Sequence, residues 1–144
     1  VSGFSAYTRA TKWLYGVLTS PAISGVQGVY EDAAPEGVTV AGDVWIEFEP
    51  MTPGQDLGVV GEQRVWTEFP FLVRAITRGR STKALEAISD AIDSRLHRVE
   101  GTTTDGRVLQ STRSSEEQDS WVEAGVEYRA LGGIYHLIVQ PLHA

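Results

Sequence analysis

The chain has 144 residues, is 42% hydrophobic and 22% charged, and carries a net charge of −7. That length and balance fit one domain, residues 1–144, with a core of its own, and no apolar run nears the roughly 20 residues of a membrane helix. The absence of cysteine excludes disulfides, thiolate metal sites and cysteine nucleophiles together, as expected of a chain that folds in a reducing cytoplasm.

The opening, Val1 to Ala10, lacks a basic region followed by an apolar block, so it does not read as a secretory signal. Phe4, Tyr7, Thr11, Leu14 and Leu18 recur at helical spacing and predict a helix over about Gly3 to Thr19, stopped by Ser20-Pro21. A short link, Ile23 to Val29, leads into a brief strand at Val29-Tyr30. Asp43 to Glu49 alternates: Val44, Ile46 and Phe48 share the core face, and Asp43, Trp45, Glu47 and Glu49 the other. Pro50 to Gly54 breaks this strand, and a long loop is expected over about 51–64. Val65 to Ile76 is the longest predicted strand. Val65, Phe69, Phe71, Val73 and Ala75 point one way; Trp66, Glu68, Leu72, Arg74 and Ile76 point the other. Pro70 within it implies a bulge, or an edge position where no ladder amide is needed.

Ser81 or Thr82 is placed to cap a second helix with the apolar stripe Leu85, Ile88, Ile92, Leu96 and Val99, ended by Gly101. Thr102 to Gly106 reads as a turn, Arg107 to Arg113 as a strand and Ser114 to Ser120 as a polar loop. Trp121 to Ala130 and Ile134 to Val139 read as a hairpin around Leu131-Gly132-Gly133. The order is helix, three strands, helix, three strands. It predicts an α+β fold, a mixed, mostly antiparallel sheet with two main helices packed on one face.

Catalytic chemistry finds little support. His97, His136 and His143 have no partner at metal-ligand spacing. His97 ends a helix, where an imidazolium would favour the dipole. Asp43, Glu47 and Glu49 share a strand face, but carboxylates two residues apart lie about 7 Å from each other and need further ligands to hold a cation. A solvated or partner-facing strand explains them better. A small enzyme would need Asp43, Glu47 and a histidine gathered in a pocket. No nucleophile elbow, phosphate-binding loop or dinucleotide fingerprint is present. Gly54, Gly58 and Gly61 precede no helix. No catalytic residue, cofactor or metal is expected.

Interface chemistry is better represented. Leu57, Val59 and Val60 are apolar residues in a segment expected to be exposed. Trp45 and Trp66 stand on the non-core faces of neighbouring predicted strands, where tryptophan is a favoured interface anchor. Arg74, Arg78, Arg80 and Lys83 form a basic run able to meet an acidic neighbour. The interface candidates are therefore Trp45, Glu47, Gln55, Asp56, Leu57, Val59, Val60, Gln63, Arg64, Trp66, Arg78 and Arg80.

The order of parts resembles the tail terminators, small tail-completion proteins of long-tailed bacteriophages. The matching features are a first helix ending near Pro21, the run Gly28-Val-Tyr-Glu-Asp-Ala-Ala-Pro-Glu-Gly37 and the strand Val44 to Pro50. The strand Arg64 to Gly79, the helix Ser81 to Val99 and the closing strands Gly125 to Gln140 complete the set. Val38 to Gly42 departs from the aromatic-Pro-Tyr pattern of many members. The resemblance implies a homo-oligomeric ring, typically a hexamer, that caps the tail tube, ends its polymerisation and gives the head a docking surface. The implied partners are other copies, the tail-tube protein and a head-completion or connector protein, with no membrane. DNA would pass through without specific binding, helped by the acidic charge. The implied location is the tail or neck of the virion, assembled in the bacterial host cytoplasm. Another neck or connector protein, or a monomeric phage-encoded adaptor, is the alternative.

Overall fold

The computed structural model describes residues 6–35, 42–60, 63–103 and 106–141, and the side chains of all of these except 6, 56–60, 63–65, 103, 106, 109 and 141. Helix α1 spans Ala6–Thr19 and α2 spans Glu86–Leu96, entered through a 3-10 turn at Thr82–Leu85. The strands are β1 (Val29–Glu31), β2 (Val44–Pro50), β3 (Gln55–Val60), β4 (Gln63–Arg78), β5 (Val99–Thr103), β6 (Gly106–Glu123) and β7 (Val126–Pro141). They form one seven-stranded sheet in the order β1-β2-β4-β7-β6-β5, with β3 paired to the start of β4. Only β1 and β2 run parallel; the other pairs are antiparallel. The fold class is the α+β arrangement expected.

Both helices pack on one sheet face. Ala10, Trp13, Leu14 and Leu18 of α1 and Ile88, Ile92 and Leu96 of α2 are buried against Val44, Ile46, Phe48, Phe71, Val73, Tyr135, Leu137 and Val139. The helical and strand periods read from the sequence meet here, each element burying the face its spacing defines. Arg95 of α2 fastens the end of α1: its guanidinium donates to the carbonyl of Val17 at 3.0 Å and to that of Pro21. Those carbonyls lack intrahelical partners, and a cation there also opposes the helix dipole.

Several expectations give way. The segment 55–60 is strand β3, hairpinned to β4 through Gln55↔Glu68, Leu57↔Trp66 and Val60↔Gln63. Pro70 makes no bulge in the β4–β7 register. It falls where β4 changes partner from β3 to β2, so its missing amide is not required, and its carbonyl accepts from Met51 N at 2.8 Å. Neither Ser81 nor Thr82 caps α2 through its side chain. Gly101 lies within β5 rather than ending the helix, and a Cβ there would strike the indole of Trp13.

The polar run Ser114 to Ser120 is the middle of β6; Ser114 sits at a register shift, and Ser115 to Ser120 pair residue for residue with β7. The hairpin turn sits at Ala124-Gly125, with φ of 51° and 78°. Two successive positive φ values give the primed turn whose twist matches its flanking strands. Gly132 and Gly133 are instead buried in mid-strand. A Cβ on Gly132 would collide with the Val73 carbonyl and lie 2.5 Å from Arg74 Cα; one on Gly133 would lie 2.7 Å from the Ser115 carbonyl. The glycines serve close approach, not a turn.

Candidate functional site

The sheet face away from the helices is the candidate recognition surface, because among the described residues no helix layers it. It divides in two. The half beside the Ala124-Gly125 turn is closed by a second, small core. Trp45, Ile76 and Ala130 are buried there, joined by Tyr30, Ala34, Trp121 and Tyr128. Tyr128 stands edge-on to Trp45 at 6.4 Å and stacks on Trp121 at 5.6 Å. Arg74 covers Trp121 at 5.3 Å and lies 3.9 Å from Asp119. Glu47 ties the cluster together, accepting the Trp45 indole N–H at 2.8 Å and the Ala34 amide at 3.2 Å.

Trp45, expected as an exposed anchor, is therefore 3% exposed and spent on the chain's own packing. Glu47 is a structural acceptor. Trp45 and Trp66 share this face but do not meet: Trp45 is level with Ile76 and Trp66 with Leu57, near opposite ends of β4.

The other half is open. Trp66, Leu72, Ile134 and Ile138 are half-buried, and Met51 beside them is 48% exposed. The ladder sets Leu72 against Ile134, Pro70 against His136 and Glu68 against Ile138. A polar pair crosses this apolar surface, with His136 Nδ1 2.7 Å from Glu68 Oε1. Trp66, Gln110 and Ile138 floor a shallow groove walled by Arg98, Val99 and Glu100. A second depression lies among Met51, Leu72, Arg74, Glu117, Ala130 and Ile134.

Gln55 is exposed on the β3–β4 hairpin that borders the open half. The side chains of Asp56, Leu57, Val59, Val60, Gln63 and Arg64 lie outside the described residues. Arg80 is exposed, and its carbonyl accepts from Arg129 at 3.0 Å. Arg78 is half-buried, its Nε enclosed without a hydrogen-bond partner among the described residues. Sequence reasoning missed Trp121, Tyr128, Ile134 and Ile138. The signal was available: Tyr128, Ala130, Ile134, His136 and Ile138 all occupy even positions of one strand once Gly132-Gly133 is not taken as a turn.

Groups that would suggest chemistry are otherwise occupied. His97 is the C-cap of α2, and its Nδ1 accepts the Arg113 amide at 3.0 Å, joining the helix end to β6. His143 lies outside the described residues. Among the described residues Asp43 and Glu47 are not gathered with a histidine; His136 pairs with Glu68. Asp93 accepts from Tyr135 Oη at 3.0 Å and lies 3.4 Å from Arg113 Nε, joining α2 to β6 and β7. Burial, then the bond to Asp93, pushes the Tyr135 phenol well above its ordinary range. Tyr7 is raised in the same sense by burial and by its 2.6 Å bond to Glu31. Both phenols are held neutral as donors. Among the described residues no group of three potential ligands could hold a metal ion.

No protein-family model matches the chain, and no curated protein matches it. Among solved structures, it is similar to a chain of the virion of a native gene transfer agent particle. The TM-score is 0.67 at 15% identity, over 96% of this chain and 99% of that one. The two share a fold from end to end.

Proposed function

We propose that the protein is a structural component of a phage-type virion, a ring-forming tail terminator that binds rather than turns over a substrate. The observation that carries this reading is the end-to-end fold likeness to a chain of a gene transfer agent virion. The order of parts in the sequence points the same way independently. In this reading copies of the chain assemble into a ring, typically a hexamer, on the last ring of tail-tube protein. The ring offers the tube one complementary face and no face for another tube ring, so growth stops. Its far side receives the head-completion or connector protein. The charge of −7 per copy is multiplied around the ring and keeps passing DNA from adhering.

The open half of the sheet supplies the contact. Trp66, Leu72, Ile134 and Ile138 present half-buried apolar area around a polar pair, the composition of an interface centre. The β3–β4 hairpin extends it, bringing Gln55, Asp56, Leu57, Val59, Val60, Gln63 and Arg64 to the same border. Trp45 acts from the closed end of the same face, holding the sheet rather than touching the partner.

Light scattering across a concentration series, with and without tail-tube protein, tests this. A closed ring, alone or on the tube, is expected. Trp66→Ala should weaken its formation by about 30-fold or more, the roughly 2 kcal/mol of a buried tryptophan anchor, without lowering the unfolding temperature. A monomer that ignores the tube would refute the terminator role and leave the adaptor alternative.

A further inference from the structure

Among the described residues, the outer edge of β6 has no partner strand where it is longest. β5 pairs with β6 only from Gly106 to Ser111. Among the described residues, the strand from Ser115 to Glu123 is paired on one side, to β7, and has no strand on the other; just before it the Arg113 amide donates to His97 Nδ1. Beyond the irregularity at Arg113/Ser115 the pairing runs in unbroken register from Ser115 to Glu123. At about 3.3 Å per residue that is roughly 30 Å of edge backbone without a partner strand, within which the Ser120 amide donates to the Asp119 carboxylate at 2.8 Å.

This stretch is unlike every other long strand here. Glu116, Glu117, Gln118, Asp119 and Ser120 are exposed although they alternate between the two sheet faces. No core on either face holds them in line, and Ser, Glu, Gln and Asp are poor strand formers. Burial dictates the straight, extended conformation of β2, β4 and β7; the β7 ladder alone imposes it on this part of β6. A long unprotected edge is ordinarily an association hazard, and proteins shorten or cover such edges unless they use them.

We propose that the Ser115–Glu123 edge is a strand-addition site for a basic, extended segment of a different protein. Ladder hydrogen bonds would supply the register. Glu117, Asp119 and Glu123 on one face and Glu116 on the other would select lysine or arginine at alternate positions. Charge decides against a second copy. Edge-to-edge pairing of two identical strands sets these carboxylates against one another. The chain's other outer strands, Val29–Glu31, Gln55–Val60 and Val99–Thr103, contain no lysine or arginine to meet them. This site borders the open face, whose second depression Glu117 and Asp119 also line, but its ladder edge does not depend on which surface closes a ring.

The test is backbone amide exchange by NMR with a short synthetic peptide of alternating lysine and valine. The control has proline in place of valine, keeping the charge but donating nothing to a ladder. Roughly tenfold or greater slowing of alternate amides within Ser115–Glu123 is expected with the first peptide and not with the second. The doubly substituted Glu116→Lys, Asp119→Lys protein, altered only at exposed positions, should lose that protection and gain it from an alternating glutamate–valine peptide. Equal effects of the lysine–valine and lysine–proline peptides would reduce the edge to non-specific charge attraction. Unchanged exchange at saturating peptide, or protection located on another strand, would also overturn the proposal.

Discussion

Tyr135 offers the sharpest test of how the sheet and α2 are joined. The ring is 1% exposed, and its hydroxyl donates to Asp93, which also faces Arg113. Tyr135→Phe keeps the ring packing and removes only this donor. A hydrogen bond to a charged acceptor contributes about 1.5–3 kcal/mol. Because Asp93 retains Arg113, the lower end applies, about 1.5–2 kcal/mol. With a urea slope of about 2 kcal/mol/M, the unfolding midpoint should fall by roughly 0.8–1 M. The bond also carries a pH dependence of fixed sign. The folded-state pKa of Tyr135 is raised above that of the unfolded chain, so its stabilisation is complete below about pH 10 and is lost as pH rises beyond it. Above that pH the unfolded chain holds fewer protons than the native one. Wild-type stability should then decline by up to about 1.4 kcal/mol per pH unit for each such tyrosine. Tyr7, raised in the same direction, adds to the decline, and Tyr135→Phe should have the shallower slope. Urea unfolding followed by tryptophan fluorescence, between neutral pH and about pH 11, reads both quantities. A midpoint within about 0.2 M of wild type, or an identical alkaline slope, would refute the assignment.

Three further substitutions probe other joints. Gly132→Ala forces a methyl into the Val73 carbonyl and Arg74 Cα and should cost about 1–3 kcal/mol, measured as a lowered thermal midpoint; an unchanged midpoint would mean the strands are not this close. Arg95→Met keeps the aliphatic stem but leaves the Val17 and Pro21 carbonyls without their donor, and should cost about 1–2 kcal/mol, with faster amide exchange in the last turn of α1 as the local sign. Glu47→Leu strands the Trp45 indole N–H and the Ala34 amide. It should cost about 1–3 kcal/mol and shift the tryptophan emission, whereas a purely solvent-facing Glu47 would predict change in neither.

Much of the fold was legible because one strong signal, burial on a single face, is written directly into residue spacing. Leu14 and Leu18, Ile88 and Ile92, Val44, Ile46 and Phe48, and Phe69, Phe71 and Val73 all occupy the positions their periods predict. Where a second signal overlay the first, the reading failed. Trp45 alternates correctly onto the face away from the helices, but no local pattern announces that Trp121 and Tyr128, some eighty residues on, arrive to bury it. Gly132-Gly133 has turn chemistry, and only the tertiary approach of Val73 and Ser115 distinguishes a packing glycine from a turning one. Ala124-Gly125, the actual turn, puts an alanine at positive φ, a mildly unfavourable choice that sequence rules discount.

The two misread strands share a physical cause. Gln55–Val60 and the distal part of β6 were both expected as loops, and both lie on the outside of the sheet, each held by a single neighbour. Ser114 to Ser120 carries no alternation because neither face of the strand is buried there, so hydrophobic periodicity has nothing to record. The backbone ladder to β7 leaves no compositional trace. A polar segment held extended by one strand is the place where sequence and fold agree least. Disagreement of that kind concentrates where a surface is kept for something outside the chain. The open half-sheet beside Trp66 is apolar and crossed by the contact of His136 with Glu68; the β6 edge is acidic and, from Ser115 to Glu123, has no partner strand among the described residues. Two surfaces of such different chemistry suit two different partners. A ring that meets its own copies, a tube and a connector, as proposed above, would need more than one kind of contact.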